Sequence, residues 1–242
     1  MFFLLGIDDT DSPATGDAPN STQNTAALAL LLGQKMESLG LARLLNISCH
    51  ELFLNPSIAH TRSNTAYCLL MDGEPQKMRE IDMTTRSTLR VQSAANANPG
   101  YALATWNQID PEVVVWGQRA KTSILQRMDA INLARRSGIA IAGISGSGIG
   151  VIGALSALGL RYDGNDGYIN WMPGLDRLGG IYSQIEINHF IQFGSIETEN
   201  QKRPALEDRI LFSANTKPIL KNGRIILKVS PAEKKQQYQW QS

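Results

Sequence analysis

Residues 2–7, Phe-Phe-Leu-Leu-Gly-Ile, form an unbroken apolar run that stops on Asp8-Asp9-Thr10-Asp11. The run is too short for a stable helix and lacks the polar alternation of a half-exposed strand. It therefore predicts a strand covered on both faces, the kind found in layered α/β folds. Residues 13–21 are turn and loop formers. Thr22–Leu39 then reads as a helix, capped by Ser21 or Thr22, filled with Ala and Leu, and stopped by Gly40. The opening is strand, acidic loop, capped helix.

The rest of the chain continues this alternation. Strands are predicted at 44–47, 64–71, 101–106 and 113–116, with a helix within 72–87. Asn55-Pro56 and Asn96-Ala97-Asn98-Pro99-Gly100 mark turns. Ala120–Ser137 reads as one amphipathic helix ended by Gly138, followed by a strand at 139–144. A glycine-rich loop at 143–150 leads into a small-residue helix, Val151–Leu158, expected to stop at Gly159. After Gly164 the pattern weakens to short strands at 168–172, 181–187, 210–213 and 224–229, and residues 231–242 read as a frayed polar end.

Composition narrows the class. Hydrophobic residues make up 43% of 242 and charged residues 19%, the balance of an ordinary globular protein. A net charge of +1 provides no global field for nucleic acid, so RNA binding would need a local basic patch. Cys49 and Cys68 are the two cysteines; with no C-x-x-C pair they read as buried thiols of a reducing compartment, not a zinc ribbon. The apolar start is too short for a membrane span or a signal segment, so a cytoplasmic protein with no membrane partner is expected. His50 and His189 stand alone in sequence and read as packing or surface residues.

The chemistry concentrates in the acidic loop. Asp8, Asp9 and Asp11 place three carboxylates within four residues, at the carboxyl end of a buried strand. Ligands of open α/β sheets bind at such ends. Left alone the charges repel; a hard divalent cation such as Mg²⁺ relieves them, and Thr10 and Ser12 add hydroxyls for metal or phosphate. Arg62 carries a planar fork suited to phosphate oxygens. The loop with Gly146, Ser147 and Gly148 could present backbone N–H groups to an anion, although it is neither a Walker A loop nor a GxGxxG.

Four segments, in order, resemble one family. Gly6–Ser12 resembles the opening motif of the ATP-dependent agmatidine synthetases, which modify the wobble cytidine of isoleucine tRNA. Residues 54–64, LNPSIAHTRSN, resemble that family's L-N-P-x-x-x-K-T-R-G-N; Asn98-Pro99-Gly100 resembles its N-P-G turn; residues 146–155, GSGIGVIGAL, resemble its G-x-G-R-G-L-I-G-A-L. The sequence departs from the pattern at His60, Ser63 and Ile149. The match covers about residues 1–160.

The resemblance implies a catalytic core without the family's OB-fold and zinc ribbon. It implies an α/β fold: a mixed-sheet, kinase-like ATP-binding domain at 1–118, a ferredoxin-like α+β lobe at 119–200 and an extension at 201–242. It implies ATP and Mg²⁺ as cofactors, with phosphorylation of a carbonyl oxygen before attack by the agmatine amine. Asp8, Asp9, Asp11 and Arg62 are then catalytic, the three aspartates also binding metal. Gly6, Thr10, Ser12, Thr22, Asn55, Thr61, Asn64, Gly146, Ser147 and Gly148 line the nucleotide. Thr22 and Thr25 both fall where the family has helix-start threonines. Expected partners are a nucleotide and tRNA or a small amine such as agmatine. Two other readings compete: a non-catalytic nucleotide-binding regulatory domain, and an RNA-binding module whose catalysis has decayed.

Overall fold

A computed structural model describes residues 1–11, 24–56, 64–213, 216–232 and 238–242. The chain divides into two compact units, Met1–Asp163 and Gly164–Ser242. The boundary at 118/119 inferred from sequence falls inside a helix of the first unit.

The first unit runs β1 (Phe2–Asp8), α1 (Thr25–Ser38), β2 (Ala42–Glu51), β3 (Thr65–Gly73), α2 (Met78–Gln92), β4 (Gly100–Thr105), α3 (Pro111–Ala120), α4 (Arg127–Arg136), β5 (Ala140–Gly143) and α5 (Val151–Asp163). Its strands lie in the order β5-β4-β1-β3-β2, and the pairings are antiparallel. The first six elements, β1-α1-β2-β3-α2-β4 with strand order 4-1-3-2, form a split β-α-β arrangement. It occupies residues 2–105.

β1 is central and covered on both faces, as its composition requires. Leu4, Gly6 and Asp8 face α5, and Leu4 shares a core with Val113, Trp116, Ala154 and Leu158. Phe3, Leu5 and Ile7 alternate to the other face, where α1 and α2 pack and are joined by a Lys35 Nζ to Thr88 Oγ1 bond of 2.9 Å. α3 and α5 approach closely through glycines. A Cβ on Gly159 would collide with the Val113 carbonyl, and one on Gly117 would sit 2.9 Å from the Ser156 carbonyl. Gly159 therefore lies inside α5 rather than ending it.

Several elements differ from the sequence expectation for identifiable reasons. Residues 113–116 are helical, not a strand. Asp110 caps α3 by accepting from the Val113 N–H at 3.0 Å, Pro111 pre-sets the first turn, and Val113, Trp116, Gly117 and Ala120 form one buried stripe. Cap and burial outweigh the β-propensity of three valines. The helix expected over 120–137 is broken: Lys121 caps α3, and the Thr122 and Ser123 N–H groups bond back to Arg119 before α4 begins. α1 is capped by Asn24, whose Oδ1 accepts from the Ala27 N–H at 2.7 Å, in place of Ser21 or Thr22.

The second unit holds β6 (Tyr168–Trp171), β7 (Gly180–Ser183), α6 (Gln184–Ile187), β8 (Ser195–Glu197), β9 (Arg209–Phe212), β10 (Ile219–Lys221), β11 (Arg224–Lys228), β12 (Ser230–Pro231) and β13 (Trp240–Gln241). β10 and β11 form a hairpin on Asn222-Gly223, both at positive φ, the residue pair such a tight turn favours. The strand expected over 181–187 ends at Ser183, which caps α6 in a capping box with Glu186. The C-terminal residues are not all frayed, since β13 pairs parallel with β9 and Trp240 Nε1 donates to Asp208 Oδ2 at 2.8 Å. β8 and β11 are also parallel. The chain is thus α/β with mixed strand pairing. Among the described residues no helix is long and apolar enough to cross a membrane.

Candidate functional site

Three of the sequence motifs meet at the amino end of α5. β1 delivers the acidic loop there because Asp8 continues the face that packs on α5. A Cβ on Gly153 would collide with Asp8 Oδ2, so the carboxylate lies against the first turn of the helix. The positive end of the helix dipole favours a negative group at that place. β4 begins at Gly100, paired with Asp8. A Cβ on Gly150 would lie 2.6 Å from the Asp8 carbonyl and 2.6 Å from Gly100 N. The acidic loop, the Asn98-Pro99-Gly100 turn and the glycine loop are therefore in backbone contact, although they are far apart in sequence.

Asn98 joins them. Its Oδ1 accepts from the Ser147 N–H at 2.9 Å and from Ser147 Oγ at 2.9 Å, and its carbonyl accepts from the Gly150 N–H at 3.1 Å. Its side chain also lies near enough to the Asp9 carboxyl to oppose the rise that burial causes there. The sequence assigns Asn98 only to a turn; its place in the matched N-P-G segment is the signal that could have found it.

The three aspartates have different surroundings. Asp9 has φ 55°, a left-handed conformation that aspartate tolerates, and its N–H donates to Asp8 Oδ1 at 2.7 Å. Thr10 is buried; its Oγ1 donates to Thr25 Oγ1 at 3.0 Å, which donates to Asp11 Oδ1 at 2.8 Å. The described helix-start threonine that meets the acidic loop is thus Thr25. Among the described residues, no three His, Cys, Asp or Glu groups converge to hold a metal ion. Asp11 accepts from Thr25, while the Asp9 and Asp11 charges still act on the Asp8 carboxyl.

The electrostatics still mark the site. Burial, then the neighbouring Asp9 and Asp11 charges, hold the Asp8 carboxyl well above the usual aspartate range, against the Asp9 N–H, which lowers it. Burial raises Asp9 too, with Asn98 opposing and Asp11 adding. Raised carboxyl values at a strand end are a signature of functional sites. A carboxyl raised on folding binds its proton more tightly in the native state. Its stabilising contribution is therefore present at low pH and lost as pH rises from the ordinary aspartate value through the raised one. Asp8→Asn is expected to melt above the parent at pH 7, with the gap closing on acidification below the ordinary aspartate range, as scanning calorimetry across pH would show.

The remaining expected residues fall as follows. Gly6 is buried against α5, where a Cβ would collide with the Ala154 carbonyl; its place is packing rather than ligand contact. Gly146 and Gly148 have φ of +56° and +61° and sustain the turn of the glycine loop. The N–H groups of Ser147, Gly148, Ile149 and Gly150 are bonded within the protein, whereas those of Ser145 and Gly146 have no acceptor among the described residues. Asn64 closes the neck between β2 and β3: its Nδ2 donates to the Phe53 carbonyl at 2.9 Å, and its own carbonyl accepts from the Leu52 N–H. Asn55 is half-buried just beyond Leu54. Ser12, Thr22, Thr61 and Arg62 lie outside the described residues. Both cysteines are buried thiols, as expected, and burial pushes Cys68 up to about 12. His50 is buried with its Nε2 2.8 Å from Ser48 Oγ.

No family model and no curated protein matches this chain. Solved structures do. Apo TiaS, a tRNA agmatidine synthetase specific for an isoleucine tRNA, superposes with a TM-score of 0.52 at 23% identity, over 66% of this chain and 35% of that one. The complex of TiaS with its tRNA and ATP, and the complex with its tRNA, AMPCPP and agmatine, each give a TM-score of 0.53 at 24% identity, over 66% of this chain and 36% of theirs. The chain spans about a third of the length of these proteins. At this identity the likeness is one of fold, and it agrees with the order of motifs: the chain is similar in fold to part of the isoleucine-tRNA agmatidine synthetase.

Proposed function

We propose that this chain is the core of an ATP-dependent, ligase-like enzyme that modifies tRNA in the manner of agmatidine synthetase. The observation that carries the reading is the meeting of acidic loop, Asn98 turn and glycine loop at the amino end of α5, in a fold whose solved relatives were captured with tRNA, ATP, an ATP analogue and agmatine. In this reading an acceptor oxygen attacks the terminal phosphorus of ATP; a new O–P bond forms as the bond to the bridging oxygen breaks. An amine of the agmatine class then attacks the activated carbon, and phosphate leaves with the former carbonyl oxygen and its bonding pair while the amine loses a proton. Such chemistry rests on positioning and charge stabilisation.

The residues fit a divalent cation without a three-carboxylate cage. Mg²⁺ keeps several waters and takes one or two carboxylates plus phosphate oxygens. Asp8 and Asp9, both held above their usual range by burial and crowding, are the carboxylates that such an ion would relieve. It would supply charge neutralisation on the transferring phosphoryl group. Asp11, with Thr10 and Thr25, braces the loop. Arg62, Ser12, Thr22, Asn55 and Thr61 are proposed to line the nucleotide, with Gly146, Ser147 and Gly148 shaping the wall opposite.

The test is turnover of labelled ATP with Mg²⁺, an isoleucine tRNA transcript and agmatine. Asp8→Asn is expected to cut turnover at least about a hundredfold. If Asp8→Asn and Asp9→Asn both keep full activity, the acidic loop is not the site. With the N–H groups of Ser147, Gly148, Ile149 and Gly150 bonded internally, the loop favours a second reading, a domain that binds nucleotide without turning it over; calorimetric ATP binding with no product from any of these substrates would select it.

A further inference from the structure

We infer that Arg127 holds a phosphate group against the outer side of the glycine loop. The inference deepens the proposed function and rests on it for the identity of the site.

Arg127 is the first residue of α4 and is exposed. A Cβ built on Gly148 would lie 3.7 Å from Arg127 Nε, so the guanidinium lies beside the loop where Gly148 has no side chain. Gly148 itself is buried, and Gly143 packs by the same position. Arg43, Arg86 and Arg136 pair with Asp72, Asp82 and Glu112, whereas Arg127 has no carboxylate partner among the described residues. What sets Arg127 apart from the other unpaired arginines of the unit is its place beside the glycine loop, with its guanidinium N–H groups available to donate.

Charge makes the placement informative. Two residues along the loop, Gly150 touches Asp8, and Asn98, bonded to Ser147, lies near the Asp9 carboxyl. A polyanion approaching here meets carboxylates on one side and needs a cation on the other. The Ser145 and Gly146 N–H groups, which have no acceptor among the described residues, offer part of that complement. Arg127 is a described cation beside the loop, and its fork suits phosphate oxygens. The phosphate could belong to a nucleoside triphosphate or to an RNA backbone; the recognition chemistry is the same.

The experiment measures binding of tripolyphosphate and ATP·Mg²⁺ by calorimetry, and of a tRNA transcript across a salt series, for the parent, Arg127→Ala, Arg127→Lys and the control Arg135→Ala on the same helix. Loss of one charge-assisted phosphate contact is expected to weaken binding about ten- to hundredfold. Arg127→Lys should recover part of that loss, Arg135→Ala should change little, and melting temperatures should stay level because Arg127 is exposed. A loss confined to ATP and tripolyphosphate assigns the contact to the nucleotide. A loss confined to tRNA, with the salt slope reduced by about one, assigns it to RNA backbone. Equal effects of Arg127→Ala and Arg135→Ala, or no loss for any probe, overturn the inference, as does a parent that binds none of them. ATP turnover separates the two levels of argument. An active parent with an unaffected Arg127→Ala sinks the Arg127 contact alone. Arg127-dependent binding without turnover sinks the enzymatic reading alone.

Discussion

Gly153→Ala is expected to lose nearly all ATP turnover, by about a hundredfold or more, while melting at or above the parent temperature. The new methyl group must occupy the space of Asp8 Oδ2. A carboxylate at the end of a rotatable side chain can swing away, so the fold survives. Alanine inside α5 also gains up to about 1 kcal/mol over glycine in helix propensity. Asp8, however, loses its position at the amino end of α5, and small misplacements of such groups are costly in rate. Turnover assays beside thermal melts give the answer. An active Gly153→Ala enzyme would mean that the Asp8 carboxylate does not act where it stands.

Gly6→Ala is expected to do the opposite, damaging the fold before the chemistry. Here the methyl group meets the Ala154 carbonyl of α5, which is backbone, and Leu158 Cδ1 at 2.6 Å. β1 is paired on both edges, to β3 and to β4, and cannot retreat. Overpacking of this kind costs about 1–3 kcal/mol, and more where neither side can move. Against a typical total of about 5–15 kcal/mol that is a large share. A urea titration should show the midpoint falling clearly, with the slope unchanged. An unchanged midpoint would mean that α5 does not pack on β1 at this distance.

The two glycines show how much of the site was legible. Gly6 was expected to line the nucleotide because it opens the acidic motif; in the structure it is the point where a helix rests on the central strand. Gly153, read from sequence as part of a small-residue helix, is what gives Asp8 its room. Motif spacing marks that a small residue is required but not which neighbour requires it. Asn98 illustrates the same limit. Its turn was evident from Asn-Pro-Gly, yet the bonds that make it a bridge run to Ser147, 49 positions away, and to Gly150.

Local chemistry read well where one short-range rule dominated. The doubly buried β1, the strands at 65–73 and 100–105, and the helix from Val151 all follow from apolar runs and small-residue packing. It read poorly where cap and tertiary burial outweighed propensity, as at Val113–Trp116, and where hydroxyl residues broke an otherwise helical pattern, as at Thr122-Ser123. Arg161 is another such case: in the last turn of α5 it is buried over the Trp106 ring, 5.9 Å from its centroid, which no local pattern announces for an arginine.

By itself the sequence determined that a buried strand must end on three crowded carboxylates, that a capped helix must follow, and that glycine-rich backbone must approach something closely. These are consequences of residue volume, charge and backbone freedom within a few positions. Only the tertiary structure decided that Asp8 lies against α5 while Asp11 is held by Thr25, that Asn98 holds the glycine loop through Ser147 and Gly150, and that Arg127 is brought beside it. Those outcomes depend on which distant backbones can come into contact once α5 settles on β1, and that is set by packing across the whole unit.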